Sequence, residues 1–302
     1  MTILVTGGLG HIGSKLIQEL SVKNRVLVID SLETQRYSSI FHLAGKNNIE
    51  FIEGDVSEIG PSELVPYHPI STIIHLAAKN HGQFSNSINF SDNALLTRSV
   101  IKIAEHYSSH LIFPSSSSVY SQTSGIHRET MTLNSPTNSY SAVKLEEEEM
   151  ITSAELEKWT ILRLGTLHGV SPGMRFHTAV NKFCWESQTR GYIEVWNSAL
   201  GEIRPYLSIQ DCVSAFTFFV ENTDIENGIW NLATGHHKTL EILELIEEFS
   251  KNKFDIRILD YNTESVLSIV LSLEKLFKTG FTTTGSLRND IRATIEILSG
   301  IN

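Results

Sequence analysis

Thr2 to Gly13 reads TILVTGGLGHIG, and this stretch decides the fold. Ile3, Leu4 and Val5 form a short unbroken apolar run, the pattern of a strand buried on both faces of a parallel sheet. Glycines follow at once. Gly8, Gly10 and Gly13 fit G-x-G-x-x-G, and Gly7, Gly10 and Gly13 fit G-x-x-G-x-x-G. Glycine here permits a tight turn, lets backbone N–H groups approach a pyrophosphate, and lets the next helix pack closely on the strand. Ile12, Leu16, Ile17 and Leu20 then recur at helical spacing, so a helix begins at the loop with its N-terminal partial charge aimed at the phosphates.

Context supports a dinucleotide-binding reading over an ordinary strand–helix turn. A second apolar run, Val26 to Ile29, ends in Asp30, about twenty residues on, where a ribose-binding acid belongs. A carboxylate there accepts from ribose hydroxyls and repels a 2′-phosphate, which favours NAD over NADP. Arg36 is the one nearby feature that speaks for a 2′-phosphate.

The chain has 302 residues, enough for one large or two moderate cores, with 41% hydrophobic and 19% charged residues. A net charge of −10 argues against nucleic acid as a partner. The first strand begins at residue 2 and no apolar stretch approaches the length of a membrane span, so neither a leader nor a membrane partner is expected. Cys184 and Cys212 are too few for a disulfide framework and lack metal-type spacing; they read as buried small residues in a reducing cytoplasm, with no metal.

Further strands are expected at Ile49–Ile52, Thr72–Leu76, Leu111–Phe113 and Thr160–Leu164, and helices from Ile88 to Tyr107 and from Ser139 to Ser153. The alternation implies an α/β fold, a Rossmann-type doubly wound parallel sheet over residues 1–168. From Gly169 onward the pattern becomes mixed α+β, fitting a smaller C-terminal substrate lobe over 169–302, with chain segments free to cross between the lobes. The strand at Ile229–Leu232 is expected there. Asp55, just past the third strand with Val56, is placed either to accept from an adenine amino group or to cap a turn. Leu76, Ala77 and Ala78 end the fourth strand with small residues that suit a flat cofactor. The run Glu146 to Glu149 reads as a solvated helix face.

Tyr140 and Lys144 lie four residues apart, on one face of the second long helix. A nearby ammonium stabilises a phenolate and brings the tyrosine toward neutrality, making Tyr140 a usable general base. Ser115 to Ser118 lies at the carboxyl edge of the fifth strand, where open α/β sheets bind ligands. A hydroxyl there can hold a substrate oxygen while Tyr140 removes its proton.

In this order, TGGLGHIG, Asp30, Gly54-Asp55-Val56, His75-Leu76-Ala77-Ala78, the serine run before Val119-Tyr120, and Tyr140-x-x-x-Lys144 resemble the extended short-chain dehydrogenase/reductases. More narrowly, they resemble the NAD-dependent epimerase/dehydratase group acting on nucleotide sugars. The stretch Arg204 to Asp211 and the segment Leu276 to Leu287 extend the likeness over nearly the whole chain. The resemblance implies NAD held by Gly7, Gly10, His11, Ile12, Gly13, Asp30, Asp55, Val56, Leu76, Ala77, Ala78, Asn93, Tyr140 and Lys144. It implies Ser116, Tyr140 and Lys144 as catalytic residues, and a nucleotide-diphosphate sugar held by Ser117, Ser118, Thr166 and Arg204. It also implies a homodimer built through the two long helices, working in nucleotide-sugar metabolism of the kind that feeds polysaccharide biosynthesis.

Departures narrow the chemistry. Ser117 and Ser118 stand where the 4,6-dehydratases carry Asp-Glu, and Ser118 replaces the cysteine of the GDP-fucose-type epimerase/reductases. Thr166 replaces an asparagine common in 4-epimerases, Ser208 a histidine, and Asn262-Thr263-Glu264-Ser265 the usual R-x-G-D. With no acid/base group evident beyond Tyr140, chemistry confined to one carbinol is the economical reading. Epimerisation at C4 through a transient 4-keto sugar fits, and net dehydrogenation or reduction fits as well. A silent dinucleotide-binding regulator on the same fold, or a reductase of a non-nucleotide carbonyl, are the readings from other classes.

Overall fold

In the computed structural model, which describes residues 1–43, 45–79, 90–120, 125–136, 138–260 and 268–300, strands and helices alternate through the first half of the chain. They run β1 (Thr2–Thr6), α1 (Gly13–Leu20), β2 (Arg25–Asp30), β3 (Ile49–Glu53), β4 (Ile70–His75), α2 (Phe90–Tyr107), β5 (His110–Ser116), β6 (Ile126–His127), α3 (Ser139–Ser153), β7 (Trp159–Leu164) and β8 (Thr166–His168). There follow α4 (Ala179–Thr189), β9 (Tyr192–Trp196), β10 (Ile203–Ser208), α5 (Ile209–Glu221), β11 (Gly228–Leu232), β12 (Gly235–Lys238), α6 (Thr239–Phe249), β13 (Asp255–Leu259), β14 (Val270–Leu271), α7 (Glu274–Phe277) and α8 (Leu287–Ser299). Ile88, where the second helix was expected to start, and Asn262 to Ser265 lie outside the described residues.

Seven strands form one parallel sheet in the order β3-β2-β1-β4-β5-β7-β11. The order reverses between β1 and β4. That switch opens a crevice at the carboxyl ends of the strands, the ligand position of doubly wound sheets. All five residues of β1 are buried, and the period of two divides them between the faces. Ile3 and Val5 join the core with Leu16, Ile17, Phe216 and Phe219 from α1 and α5. Leu4 joins the opposite core with Val100, Ile103 and Ile151 from α2 and α3.

The expectation for residues 229–232 is corrected: β11 pairs with β7 in the central sheet, so the chain returns to that sheet after β8, β9 and β10 have paired elsewhere. The run IWNL carries no mark of which sheet it joins. Conversely β8, which directly follows β7, pairs with β10 in a small sheet β12-β10-β8. A third core of Phe183, Ile193, Tyr206, Ile242, Ile246 and Ile291 gathers α4, α6 and α8 around β9 and β10.

The acidic run is the second correction. Glu146 and Glu149 are exposed, but Glu147 and Glu148 are 1% and 5% exposed. Arg163 of β7 donates from Nε and Nη2 to both oxygens of Glu148 at 2.9 and 2.6 Å. Arg163 also donates from Nη1 to the Tyr120 hydroxyl at 2.8 Å, which in turn donates to Asn231 Oδ1 at 2.9 Å. A buried carboxylate is tolerable only with such partners, and they come from another strand.

Candidate active site

Crowding dictates the glycine turn. Gly7 has φ of +66°, and a Cβ on it would lie 2.6 Å from the Ala77 backbone nitrogen. A Cβ on Gly13 would lie 2.5 Å from Gly8 Cα, and one on Gly8 would meet Val28. Gly10 N–H closes the turn onto Gly7 O at 3.1 Å, and α1 starts at Gly13. The result is a backbone cradle at a helix N-terminus, beside the switch point, fit to receive a dinucleotide pyrophosphate.

Asp30 organises this cradle. Its Oδ2 accepts from Leu9 N–H at 3.0 Å and its Oδ1 from Leu32 N–H at 2.9 Å, and each oxygen keeps acceptor capacity for a ribose hydroxyl. Asp55 caps the turn that follows β3: its Oδ1 accepts from Ser57 N–H at 2.9 Å, while Lys79 Nζ lies 3.4 Å from Oδ2. Val56 is buried behind it. Leu76 and Ala77 donate their N–H groups to Thr6 O and Thr6 Oγ1, and Ala78 is exposed. Asn93 of α2 spends its amide on the Lys79 backbone, accepting at 2.8 Å and donating at 3.1 Å.

Residues beyond the glycine motif also shape the loop. Gly173 sits so close that a Cβ would lie 2.3 Å from Leu9 O. Arg36 Nη1 donates to Gly173 O at 2.8 Å, Gly173 N–H to Ser14 Oγ at 2.9 Å, and Ser171 Oγ to His11 O at 2.8 Å. Arg36 thereby holds the segment around Gly173 on the cradle, and burial together with neighbouring Arg175 lowers it to about 10. The Pro172-Gly173 pair was the only sequence signal, and it reads equally as a lobe boundary. His11 contacts Gly169 O at 2.9 Å, with Ile12 capping α1.

At the carboxyl edge, Ser116 ends β5, and its Oγ accepts from Ser118 N–H at 3.2 Å. Ser117 is buried, and the Ser118 hydroxyl is buried with no hydrogen-bond partner among the described residues. The α3 helix, which carries Tyr140, packs on β5, which ends in Ser116, and on the turn at 117–120. Asn138 caps α3 by accepting from Ser141 N–H at 2.9 Å, which sets Tyr140 in the first turn. Tyr140 is 38% exposed, whereas Lys144 is only 7% exposed. Burial opposes the Lys144 charge, but Glu147 and Tyr140 outweigh it and raise its pKa.

Thr166 and Arg204 share the small sheet: Thr166 pairs with Tyr206, two residues from Arg204 on β10. Arg204 is half-buried and forms no ion pair with any described residue. Burial lowers its pKa. An arginine in this condition offers a bidentate donor pair to an anionic group.

Three buried histidines carry a pH consequence. Burial lowers His75 to about 3 and His11 and His110 to about 4. The folded chain keeps them neutral while the unfolded chain protonates near pH ~6.5, so stability falls as pH drops from about 6.5 toward about 4. Urea midpoints taken at about pH 7.5 and about pH 5 should show the lower value at the acidic end; a higher acidic midpoint would contradict neutral burial.

A parallel sheet with this strand order and a glycine cradle at its switch point defines the class of dinucleotide-binding Rossmann enzymes. The family model for the NAD dependent epimerase/dehydratase family matches residues 3–233, and the chain belongs to that family; it is an NAD-dependent enzyme of the extended short-chain dehydrogenase/reductases. It is 25% identical over 300 residues to a UDP-glucose 4-epimerase of Halalkalibacterium halodurans, covering 91% of this chain and 88% of that protein. The UDP-glucuronic acid 4-epimerase of Bacillus cereus, solved with UDP-glucuronic acid and NAD, is similar with a TM-score of 0.87 at 22% identity over 100% of both chains. A dTDP-glucose 4,6-dehydratase of Bacillus anthracis, solved with NAD, gives 0.85 at 17% identity over 100% of this chain and 97% of the other. The two structural likenesses concern the fold.

Among the described residues, no helix is long and apolar enough to cross a membrane. No group of three or more His, Cys, Asp or Glu among them could hold a metal ion.

Proposed function

We propose that this enzyme epimerises a nucleotide-diphosphate sugar at C4 through a transient 4-keto sugar. The observation that supports the reading is Tyr140 with the buried Lys144 on α3, a helix packed on β5 and on the following turn, which carry Ser116 and the hydroxyls of Ser117 and Ser118. One acid–base group serves one carbinol, and dehydration would need a second. Tyr140 takes the C4 hydroxyl proton, Ser116 orients that oxygen, and Lys144 stabilises the phenolate. NAD, when bound, would supply the hydride-accepting and hydride-donating chemistry at that carbon. The cradle at Gly7, Gly10 and Gly13, together with Asp30, would hold it.

Ser118 and Thr166 face the sugar in this reading, and Arg204 grips the diphosphate. Arg204→Ala is expected to raise KM for the nucleotide sugar about 10–100-fold, the worth of a charge-assisted pair, with kcat changed less than about threefold. Steady-state kinetics check this, and an unchanged KM would remove Arg204 from the diphosphate. The reading also includes a homodimer through α2 and α3 and work in the cytoplasm.

The decisive experiment incubates the protein with UDP-, GDP-, CDP-, ADP- and dTDP-hexoses without free cofactor and follows the sugar by proton NMR. A new C4 epimer at constant cofactor redox state is the expected result. Reduction of bound NAD by one sugar without epimer would make the enzyme a dehydrogenase or reductase, and silence on the whole panel would overturn catalysis on nucleotide sugars.

A further inference from the structure

A continuous line of polar contacts runs from the end of β1 to the lysine of the site. Thr6 Oγ1 lies 2.7 Å from His75 Nδ1, His75 Nε2 lies 3.3 Å from Thr97 Oγ1, and Thr97 Oγ1 donates to Glu147 Oε1 at 2.9 Å. Glu147 Oε2 lies 3.0 Å from Lys144 Nζ. Since Thr97 gives its hydrogen to Glu147, its oxygen receives the His75 Nε2–H, and His75 Nδ1 receives the hydrogen of Thr6. Each hydrogen in the line therefore points toward Glu147, and a neutral His75 satisfies the pattern.

The surroundings make this carboxylate matter. The groups facing Lys144 are Tyr140, Glu147 and Glu148 on its own helix, neutral His75 on β4, and the Phe113 ring on β5, 4.5 Å from Nζ. Glu148 is committed to Arg163 through two hydrogen bonds. Glu147 is thus the counter-ion of Lys144 among the described residues, and both side chains are at most 8% exposed. An ammonium in such a place without a partner sheds its proton. A neutral lysine no longer stabilises the Tyr140 phenolate.

We infer that Glu147 is a positioning residue of the reaction: held by Thr97, it keeps Lys144 charged inside the buried site so that Tyr140 can act as a base. The inference rests on the reading of Tyr140 as that base. It assigns to one member of the acidic run a part in catalysis exercised through Lys144, without contact with sugar or cofactor.

The test reads the Tyr140 phenolate directly by ultraviolet difference titration of the NAD-loaded protein. The chain has eight tyrosines, and subtracting the Tyr140→Phe variant isolates the one in question. The same subtraction is made with Glu147→Gln, which keeps the side-chain shape and an oxygen for Thr97. The expected result is a phenolate midpoint raised by about one pH unit or more in Glu147→Gln, with the acidic limb of the kcat–pH profile shifted the same way. Glu147→Asp, which keeps the charge, should stay near the wild-type midpoint. An unchanged or lowered midpoint in Glu147→Gln would overturn the inference, as would an Asp variant displaced as far as the Gln variant. The titration needs no turnover, so it fails separately from the site reading, which falls instead if Tyr140→Phe still epimerises.

Discussion

Tyr140→Phe is expected to lower kcat by about 10²–10⁴-fold, the range for loss of a positioned general base, while binding of NAD and nucleotide sugar stays within about threefold. The asymmetry follows from where the hydroxyl acts. The ring keeps its place in the first turn of α3, fixed by the Asn138 cap, and only the proton acceptor for the C4 oxygen is removed. Single-turnover reduction of bound NAD, with calorimetric binding of the same sugar nucleotide, separates the two effects. Loss of binding with unchanged chemistry would make Tyr140 a contact residue and not the base. Lys144→Met should approach the same loss of kcat, because an ordinary phenol near pKa ~10 is almost wholly protonated at neutral pH.

The second large effect is on stability. Arg163→Leu is expected to destabilise the fold by about 3–5 kcal/mol, the usual consequence of stranding one member of a buried ion pair. It leaves Glu148, 5% exposed, without its two guanidinium hydrogen bonds, and takes from the Tyr120 hydroxyl its donor at 2.8 Å. The double variant Arg163→Leu/Glu148→Leu should recover most of the loss, since two apolar side chains bury without an uncompensated charge. Urea unfolding of both variants measures this. A single variant within about 1 kcal/mol of wild type would show that the pair is open to water.

These two pairs show what a linear reading gains and misses. Tyr140 and Lys144 are close because a helix puts i and i+4 on one face, so their partnership is written in local spacing. Arg163 and Glu148, fifteen residues apart on different elements, are joined by strand β7 packing under α3, and nothing in the acidic run distinguishes them from a solvated face. The same limit applies to Glu147, whose partner Thr97 is on α2, and to Gly173, which looks like a lobe boundary until it is seen against the glycine loop. The serine run was legible as a strand end. That Ser116 and Ser118 are tied to each other while the Ser118 hydroxyl has no hydrogen-bond partner among the described residues was not.

What the sequence alone determined is the part governed by local chemistry: the glycine turn, whose backbone no larger residue can adopt; the buried parallel strands, marked by unbroken apolar runs; the acid at the end of β2; and the Tyr–Lys face of α3. Only the tertiary structure decided that β11 returns to the central sheet, that Arg36 straps the Gly173 segment onto the cradle, and that two glutamates of a charged run are buried. Each of these depends on which distant group arrives to satisfy a polar atom or a sheet edge. Such pairings are set by the burial of the whole core and leave no mark in the spacing of neighbouring residues.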